Sequence, residues 1–497
     1  MKVMVTGGTG VIGSSTVRAL HARGHAVRVL SRHAGRDGEA WPSGVEAWAG
    51  DVSNEKSIRG AAEGCDVIVH VAGIVAEHPP ARTFQSVNIE GTRYVTLEAE
   101  RAGVKKLVFV SSLGADRGRS AYHKSKLVAE DVVRGFSRDW VVLRPGAVYG
   151  PGDEHLSVLL RMVRSLPIVP TVGDGTREFQ PIWHEDFAQA VALSVDRPDV
   201  RCVVLDVAGV ERTTQNDVLS RLRALTGRPA VQAPLPEILA SWGVSALAAI
   251  GVDVPFSEAQ LDMLTEGNFI PDGQTNSLVT VFGVQPTRLN DGLKRLAAEQ
   301  PAQLPSEGVG ALTRKRWWVD IRTSRYDHES LFGLLRERFA ELMPSVVRVA
   351  REGDASASLR EGDTLTLEIP LRGQVQVRVA EVMDGRLTLL TLAGHPIAGA
   401  ARFLVTGHTS ELRFEVQTYD RPASVVDQIM LRTVGNVLQE ATWVGFVQNV
   451  VTASGGQPEP MQSSTEELDP HELHVVDEWA RALSAQLSRN FTSEGRS

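Results

Sequence analysis

The stretch VMVTGGTGVIG, Val3 to Gly13, decides the fold class of the N-terminal part of the chain. An apolar run leads into Gly7, Gly10 and Gly13, which have G-x-x-G-x-x-G spacing between a predicted strand and a predicted helix. Such glycines permit a tight turn and let backbone N–H groups approach a pyrophosphate at the positive N-terminus of the helix. The stretch therefore predicts a nucleotide site, and the alternative is a strand–turn–helix corner without a ligand.

Short β-branched runs alternate with helical segments over the first 150 residues. The runs are KVMVTG, HAVRVLSR, VEAWAGDV, CDVIVHVAG, KKLVFVSS and WVVLRPG. This alternation predicts β-α-β units and an α/β doubly wound parallel sheet of the Rossmann type. In such a sheet the carboxyl ends of the strands open into one crevice, where ligands bind.

The pattern changes twice further along the chain. Residues 1–300 are predicted to form the nucleotide-binding domain, with a small substrate subdomain over 147–300, and 301–312 to form a linker. A helix, six near-alternating strands and a long helix opened by Pro422 predict an α+β domain over 313–455, with an antiparallel sheet. Residues 456–497 are predicted to be a flexible acidic connector and a terminal helix.

The composition excludes several classes of function. The formal charge of −8 makes nucleic acid an unsuitable partner. Two cysteines are too few for a disulfide framework or a cysteine-based zinc site, so we expect no metal and a reducing, cytoplasmic location. The apolar stretch from Ile238, ILASWGVSALAAIGVDVPF, is shorter than the ~20 residues of a membrane span. It predicts a buried helix or a lid, and we expect no integral membrane segment.

The end of the second predicted strand bears on the choice of cofactor. Enzymes that prefer NAD usually have an acid there for the ribose hydroxyls. This chain has Ser31, Arg32 and His33, and its first acid is Asp37. Arg32, together with Arg36, can pair with a 2′-phosphate, which favours NADP(H) over NAD(H). The alternative is a solvated loop of exposed basic residues.

Two more strand ends lie on the predicted rim of the sheet. Asp51, followed by Val52, can accept a hydrogen bond from the adenine amino group. Ala72 and Gly73 are small enough for the cofactor to run past them. We assign no role to His70, which we expect to be a packed histidine with satisfied hydrogen bonds.

Ser111 and Ser112 end the fifth predicted strand, and Tyr122 and Lys126 share one face of the next predicted helix. A free tyrosine has a pKa near ~10, too high for proton exchange at neutral pH. A neighbouring ammonium and a cationic nicotinamide are expected to lower that pKa. Lys126 can also hold the nicotinamide ribose, while a serine hydroxyl orients the substrate oxygen.

These motifs together resemble the extended or atypical short-chain dehydrogenases/reductases over about residues 1–300. TGGTGVIG, GD, VNIEGT, VSSLGAD, YHKSK and LRPGAVYGPGD occur in family order. The resemblance implies that Ser112 is the catalytic serine, Tyr122 the acid–base and Lys126 its partner. It also implies that further matched positions line the cofactor: Val11, Ile12, Asn88, Pro145 and Val148.

Within the family, SSLGAD followed ten residues later by tyrosine is similar to the branch that includes the nucleotide-binding accessory subunit of respiratory complex I. The sequence favours an NADP(H)-dependent oxidoreductase of a small carbonyl or alcohol substrate. A binding module without turnover and an NAD-dependent nucleotide-sugar epimerase or dehydratase are the alternatives. We expect a homodimer or a membrane-associated complex. Arg161, Arg164 and Arg177 can meet an anionic group of the substrate or form solvated surface.

The C-terminal part resembles a small uncharacterised domain family marked by a G-H-P turn, through TLAGHPIAGAARFLV and RPASVVDQIMLRTVGNVLQ. The family's acids after the second glycine are replaced here, because Ala400 and Ala401 follow Gly399. His395 is either a catalytic candidate or a structural turn residue. A sheet wrapped round a long helix can enclose an apolar ligand.

Overall fold

The computed structural model of the protein describes residues 1–34, 41–166, 168–228, 231–235, 268–352, 358–369, 373–408, 411–431 and 435–494. The chain divides into two compact units. The first unit comprises Met1–Val158, Pro170–Arg221 and Gln232–Leu293, and the second unit comprises Leu159–Val169, Leu222–Val231 and Lys294–Ser497. Arg36, Asp37 and the apolar stretch 238–256 lie outside the described residues, so the predictions made for them stay predictions.

Seven parallel strands form the sheet of the first unit: β1 (Lys2–Thr6), β2 (Ala26–Ser31), β3 (Glu46–Ala49), β4 (Val67–His70), β5 (Lys106–Val110), β6 (Asp139–Pro145) and β7 (Val203–Val207). Their order is β7-β6-β5-β4-β1-β2-β3. Val3 and Val5 pack into one hydrophobic core, and Met4 between them packs into another. The sheet is therefore covered on both faces, and the predicted α/β doubly wound fold is confirmed.

Helices connect these strands. The labelled helices are α1 (Val11–Ala22), α2 (Gly91–Ala102), α3 (Ala121–Arg134) and α4 (His184–Asp196), and a π-helical stretch, Phe84–Glu90, runs into α2. Further helices are Glu55–Ile58, Leu156–Ser165, Gln215–Thr226, Ser277–Thr280 and Leu289–Ala298. Short strands outside the main sheet are Val148–Tyr149, Ile168–Val172, Glu178–Phe179, Ile182–Trp183, Thr213–Thr214 and Val231–Leu235.

The second unit contains an antiparallel sheet of nine strands. They are β8 (Leu312–Arg322), β9 (Arg348–Arg351), β10 (Thr364–Ile369), β11 (Gly373–Met383), β12 (Arg386–Thr391), β13 (Ile397–His408), β14 (Glu411–Pro422), β15 (Gln457–Pro458) and β16 (Gln462–Leu468). Their order is β9-β10-β11-β12-β13-β14-β8-β15, and β16 also pairs with β8. The predicted α+β class, with its antiparallel sheet, is confirmed.

Three longer helices belong to this second unit: α5 (His328–Glu337), α6 (Asn436–Ser454) and α7 (Pro470–Glu494). Two short helices, Phe339–Leu342 and Val425–Met430, lie beside α5 and α6 in sequence. Phe446 of α6 packs against Phe339, Phe403 and Phe414, with ring centroids 5.3, 5.3 and 6.1 Å away. The core of this unit therefore lies between the sheet and α6.

Three strands of this sheet were not predicted: β8, the two-residue β15 and β16. β8 was missed because it begins with the charged run TRKRWW, although its apolar residues Trp317, Val319 and Ile321 occupy alternate positions and are buried. The prediction of a flexible connector after residue 455 was wrong for β16, which pairs with β8 over seven residues. Its side chains from Gln462 to Glu467 are exposed, so backbone pairing forms this strand without an apolar face that a sequence pattern could reveal.

Two further predictions were wrong in detail. Pro422 ends β14, and Ser424 caps the following helix by accepting a hydrogen bond from the Asp427 N–H at 3.1 Å. Arg164 is fully buried in the second unit and forms a bidentate ion pair with Glu352, with N–O distances of 2.6 and 2.5 Å. It is therefore neither solvated surface nor free for a substrate anion.

Membrane-spanning helices and clusters of metal ligands are both absent from the described part of the chain. None of its helices is both long and apolar enough to cross a bilayer. The same residues contain no group of three or more histidine, cysteine or acidic side chains placed to hold a metal ion.

Candidate active site

The glycine-rich turn joins β1 to α1. Gly7 has φ of +72°, and a Cβ there would lie 2.8 Å from the backbone nitrogen of Ala72. A Cβ on Gly13 would lie 1.9 Å from the carbonyl oxygen of Gly7, whereas one on Gly10 would meet nothing nearer than 3.8 Å. Gly7 and Gly13 thus permit close backbone packing, and Gly10 leaves the turn open just before Val11 and Ile12 begin α1. This open turn fits a dinucleotide pyrophosphate.

The end of β2 carries no carboxylate. The Ser31 hydroxyl accepts a hydrogen bond from the His33 N–H at 3.3 Å, which turns the chain. Arg32 is exposed, and in the region covered by the structure no ion pair involves its guanidinium. The described end of β2 thus presents an exposed guanidinium and no carboxylate.

Asp51 and Val52 follow β3. The Asp51 Oδ1 atom accepts hydrogen bonds from the N–H and the hydroxyl of Ser53, at 2.9 and 2.8 Å. Val52 is buried and would be 3.3 Å from a Cβ on Gly91, the first residue of α2. Local hydrogen bonds therefore fix the Asp51 carboxylate at the rim of the sheet.

His70 is buried at the end of β4 and holds the rim together. Its Nδ1 lies 2.7 Å from the Thr6 hydroxyl, and its Nε2 lies 3.0 Å from the Thr92 hydroxyl. Thr92 donates to the carbonyl of Asn88, so Nε2 of His70 carries the proton. Burial lowers the pKa of His70 to about 3, and the imidazole stays neutral. The prediction of a packed, satisfied histidine is confirmed.

Asn88 connects the loop after β4 to α3. Its side chain accepts from the Ile74 N–H at 2.9 Å and donates to the Ile74 carbonyl and the Ser125 hydroxyl, both at 3.0 Å. Ala72 and Gly73 lie in the loop held in this way. A Cβ on Gly73 would be 3.3 Å from Oδ1 of Asn88 and 3.5 Å from Nζ of Lys126. The loop thus passes directly beside the lysine.

The structure brings Ser112, Tyr122 and Lys126 together around the end of β5. All three are buried, with 5%, 7% and 4% of their surfaces exposed. The Ser112 hydroxyl lies near enough to the Tyr122 phenol to lower the pKa of the tyrosine. One helical turn beyond Tyr122, the Lys126 ammonium donates to the Val110 carbonyl at 2.7 Å. It also lies 4.6 Å from the centre of the Phe109 ring, a favourable cation–π distance.

Burial dominates the protonation of Tyr122 and Lys126. It raises the pKa of Tyr122, and the nearby Ser112 hydroxyl opposes this rise without overcoming it. Burial also lowers the pKa of Lys126 to about 8, against an opposing effect of the Glu130 charge. The sequence predicts a lowered tyrosine pKa when both the ammonium and a cationic nicotinamide are present. Without nucleotide, desolvation of the phenolate is the larger effect.

The two serines at the end of β5 have different surroundings. The Ser111 hydroxyl donates to Oε1 of Glu130 at 2.6 Å, on the side of α3 that faces the sheet. The Ser112 hydroxyl instead influences Tyr122, whose pKa it lowers. Sequence reasoning missed Glu130, although Tyr122, Lys126 and Glu130 recur every four residues and so share one face of α3.

The segment after β6 lies next to this trio. The Pro145 carbonyl accepts from the Leu113 N–H at 2.8 Å, one residue beyond Ser112. A Cβ on Gly146 would lie 2.2 Å from the Gln180 carbonyl, so glycine is needed for this close backbone contact. Val148 then begins a two-residue strand that pairs with Ile182–Trp183. Pro145 and Val148 therefore bracket a tightly packed turn at the rim.

His395 lies in the second unit, away from these strand ends in sequence. It is buried, and its Nδ1 accepts a hydrogen bond from the Ile397 N–H at 3.0 Å. This bond closes the G-H-P turn before β13, which agrees with the structural interpretation of the histidine.

The doubly wound fold, the open glycine turn and the buried Ser112, Tyr122 and Lys126 are those of a dinucleotide-binding protein. Several known proteins are similar to this chain. The model of the NAD dependent epimerase/dehydratase family matches residues 3–203. A ceramide reductase of Caulobacter vibrioides is 36% identical over 184 residues, 35% of this chain and 55% of that protein. Sterol demethylase protein B of Methylococcus capsulatus is 33% identical over 269 residues, 48% of this chain and 78% of that protein.

A third relative matches the branch suggested by the sequence. NADH dehydrogenase (ubiquinone) 1 alpha subcomplex subunit 9, mitochondrial, of Rattus norvegicus is 27% identical over 243 residues, 48% of this chain and 63% of that protein. The chain belongs to the NAD dependent epimerase/dehydratase family.

The buried ammonium predicts a stability cost that depends on pH. The folded-state pKa of Lys126, about 8, lies below the ordinary 10.5, so the charged form costs about 3 kcal/mol at pH 7. After about 1 kcal/mol is subtracted for the lost hydrogen bond, Lys126→Met should raise the free energy of unfolding by about 2 kcal/mol. Urea unfolding at several pH values measures this change.

The increase in the free energy of unfolding caused by Lys126→Met should become smaller as pH rises from about 8 towards 10.5. In this range the folded wild type loses the Lys126 proton at a lower pH than the unfolded chain does. The control is Lys124→Met, which removes an exposed lysine from the same helix. Destabilisation by Lys126→Met at pH 7, or a gain that does not vary with pH, would contradict this account.

Proposed function

We propose that the protein is an NADP(H)-dependent oxidoreductase that acts on a carbonyl or alcohol compound through a Ser112–Tyr122–Lys126 proton relay. The observation that carries this proposal is the burial of Ser112, Tyr122 and Lys126 around the end of β5, where the Lys126 ammonium donates to the Val110 carbonyl. Membership of an NAD dependent family supports it, as does the open turn at Gly10.

A bound nicotinamide would supply or accept the hydride at the substrate carbon. In the direction of reduction, the Ser112 hydroxyl orients the carbonyl oxygen and the Tyr122 phenol donates its proton to that oxygen. The resulting phenolate is stabilised by the Lys126 ammonium and regains a proton from water. In the direction of oxidation the phenolate removes the proton of the alcohol, so proton and hydride leave together.

The names of two relatives suggest which substrates to test first. Ceramide and sterol are the compounds in those names, and each relative is over 30% identical to this chain across the matched residues. We therefore propose large apolar compounds with a carbonyl or alcohol group as candidate substrates, in addition to the small carbonyl compounds that the sequence suggested.

Replacement of Tyr122 tests the relay. Tyr122→Phe removes the transferable proton and keeps the ring, which packs against Phe84 at 6.0 Å. We expect kcat to fall by at least about 100-fold, the usual scale of general acid–base catalysis, while nucleotide affinity stays unchanged. Tyr94→Phe, on α2, is the matched control. Turnover that survives in Tyr122→Phe ends the proposed relay.

Replacement of Arg32 tests the preference for NADP(H). Arg32→Ala should weaken NADPH binding by about tenfold, or about 1.4 kcal/mol, and leave NADH binding nearly unchanged. Nicotinamide fluorescence titrations measure both affinities. Arg93→Ala, which removes an exposed arginine paired with Glu90, is the control. An equal effect on both nucleotides, or none on NADPH, would show that Arg32 does not read the 2′-phosphate.

A second candidate function is nucleotide binding without turnover. The likeness to a complex I subunit and the raised pKa of the buried Tyr122 favour it. It predicts that a nucleotide co-purifies and is never oxidised or reduced. An epimerase or dehydratase of nucleotide sugars is less well supported, because β2 ends without an acid. Cytoplasmic location and homodimeric or membrane-associated assembly stay predictions from the sequence.

A further inference from the structure

Glu130 is a buried carboxylate that the proposed relay does not use. None of its surface is exposed. Its two oxygens accept from Nε and Nη2 of Arg144 at 2.8 and 2.7 Å, which is a bidentate pair. The Ser111 hydroxyl donates to Oε1 at 2.6 Å, and Arg134 donates to Oε2 at 3.0 Å. A fully buried charge with four such bonds fixes its neighbours tightly.

These contacts join the three segments that carry the candidate catalytic groups. Ser111, which binds Glu130, directly precedes Ser112 at the end of β5. Arg144, which also binds Glu130, directly precedes Pro145 at the end of β6. Glu130 itself lies on α3, one helical turn after Lys126. A single carboxylate therefore ties the serine, the tyrosine–lysine helix and the segment after β6 to one another.

The charges around this carboxylate come from several elements. Arg144 of β6 pairs with Glu130 and also with Asp116, which follows β5, at 2.7 Å. Asp206 of β7 is the register partner of Arg144, and burial raises the pKa of its carboxyl. Arg134, the remaining cation, lies at the end of α3. Lys126 and Glu130 thus lie at the buried end of a cluster of charges whose outer members, Asp116 and Arg134, are exposed.

Among the charged groups of the described residues, Glu130 is the one that favours the ammonium form of Lys126. Burial lowers the pKa of Lys126, and the Glu130 charge raises it. His70, the nearby imidazole, is neutral and hydrogen-bonded. Phe109 contributes a ring face without net charge.

We propose that Glu130 is a positioning residue that keeps Lys126 in its ammonium form and holds the ends of β5, β6 and α3 in register. The kinetic part of this inference rests on the proposed function. A merely structural Glu130 would stabilise the fold without affecting the titration of Lys126.

The test follows the titration of Lys126 by NMR in the full chain, without substrate. The chain has eight lysines, so [ε-¹³C]lysine gives few signals, and Lys126→Arg assigns the one of interest. In Glu130→Gln the midpoint of Lys126 should fall by about one pH unit. The matched control, Arg134→Gln, removes an exposed partner of the same carboxylate and should leave the midpoint within about 0.3 unit of wild type.

Two variants separate this inference from simple loss of folding. If Glu130→Gln does not fold, Glu130→Asp keeps the charge but withdraws it by one methylene, and the midpoint should fall by about half as much. An unchanged midpoint in whichever variant folds would overturn the inference. Where turnover is measured, the alkaline limb of kcat/KM should move with the midpoint. Because the NMR titration needs no turnover, failure of the proposed relay leaves this result interpretable.

Discussion

The ammonium of Lys126 is buried where the strands of the first unit end, and the candidate site is arranged around it. A buried cation needs hydrogen-bond acceptors and a compensating charge. The Val110 carbonyl supplies the first, the Glu130 carboxylate the second, and the Phe109 ring covers the remaining side. The same lysine lies beside Gly73, so the group that costs stability is also the one nearest the predicted cofactor path.

Much of the first unit could be predicted because its signals are local. Gly7, Gly10 and Gly13 specify a turn by what their backbones must approach. The strand sequences are apolar on both faces, as a covered parallel sheet requires. The topology then places the ends of these strands on one rim, so Ser112 and Lys126 could be paired without coordinates. Their combined protonation could not be predicted, because burial decides it and burial depends on the whole fold.

The parts that sequence reasoning missed depend on contacts between distant segments. Arg164 resembles a surface residue until Glu352, far along the chain, is folded against it. β16 has no apolar alternation, because it is held on β8 by backbone pairing and an ion pair between Arg314 and Glu466, with Leu468 alone buried among its residues. In the sequence Glu130 is an ordinary acidic residue of a helix, and only the folded structure shows that Ser111 and Arg144 bind its carboxylate. The likeness of the second unit to a G-H-P family stays a prediction.

The most direct test of the account is the ionisation of Tyr122 with and without NADP⁺, followed by the ultraviolet absorbance of tyrosinate. The spectrum of Tyr122→Phe, subtracted from that of wild type, isolates this one phenol. The account predicts a midpoint above the ordinary ~10 without nucleotide, because the phenol is buried, and a fall below it when the cationic nicotinamide binds. A midpoint that stays above ~10 with NADP⁺ bound would contradict an acid–base role for Tyr122 and favour a site that binds a nucleotide without using it.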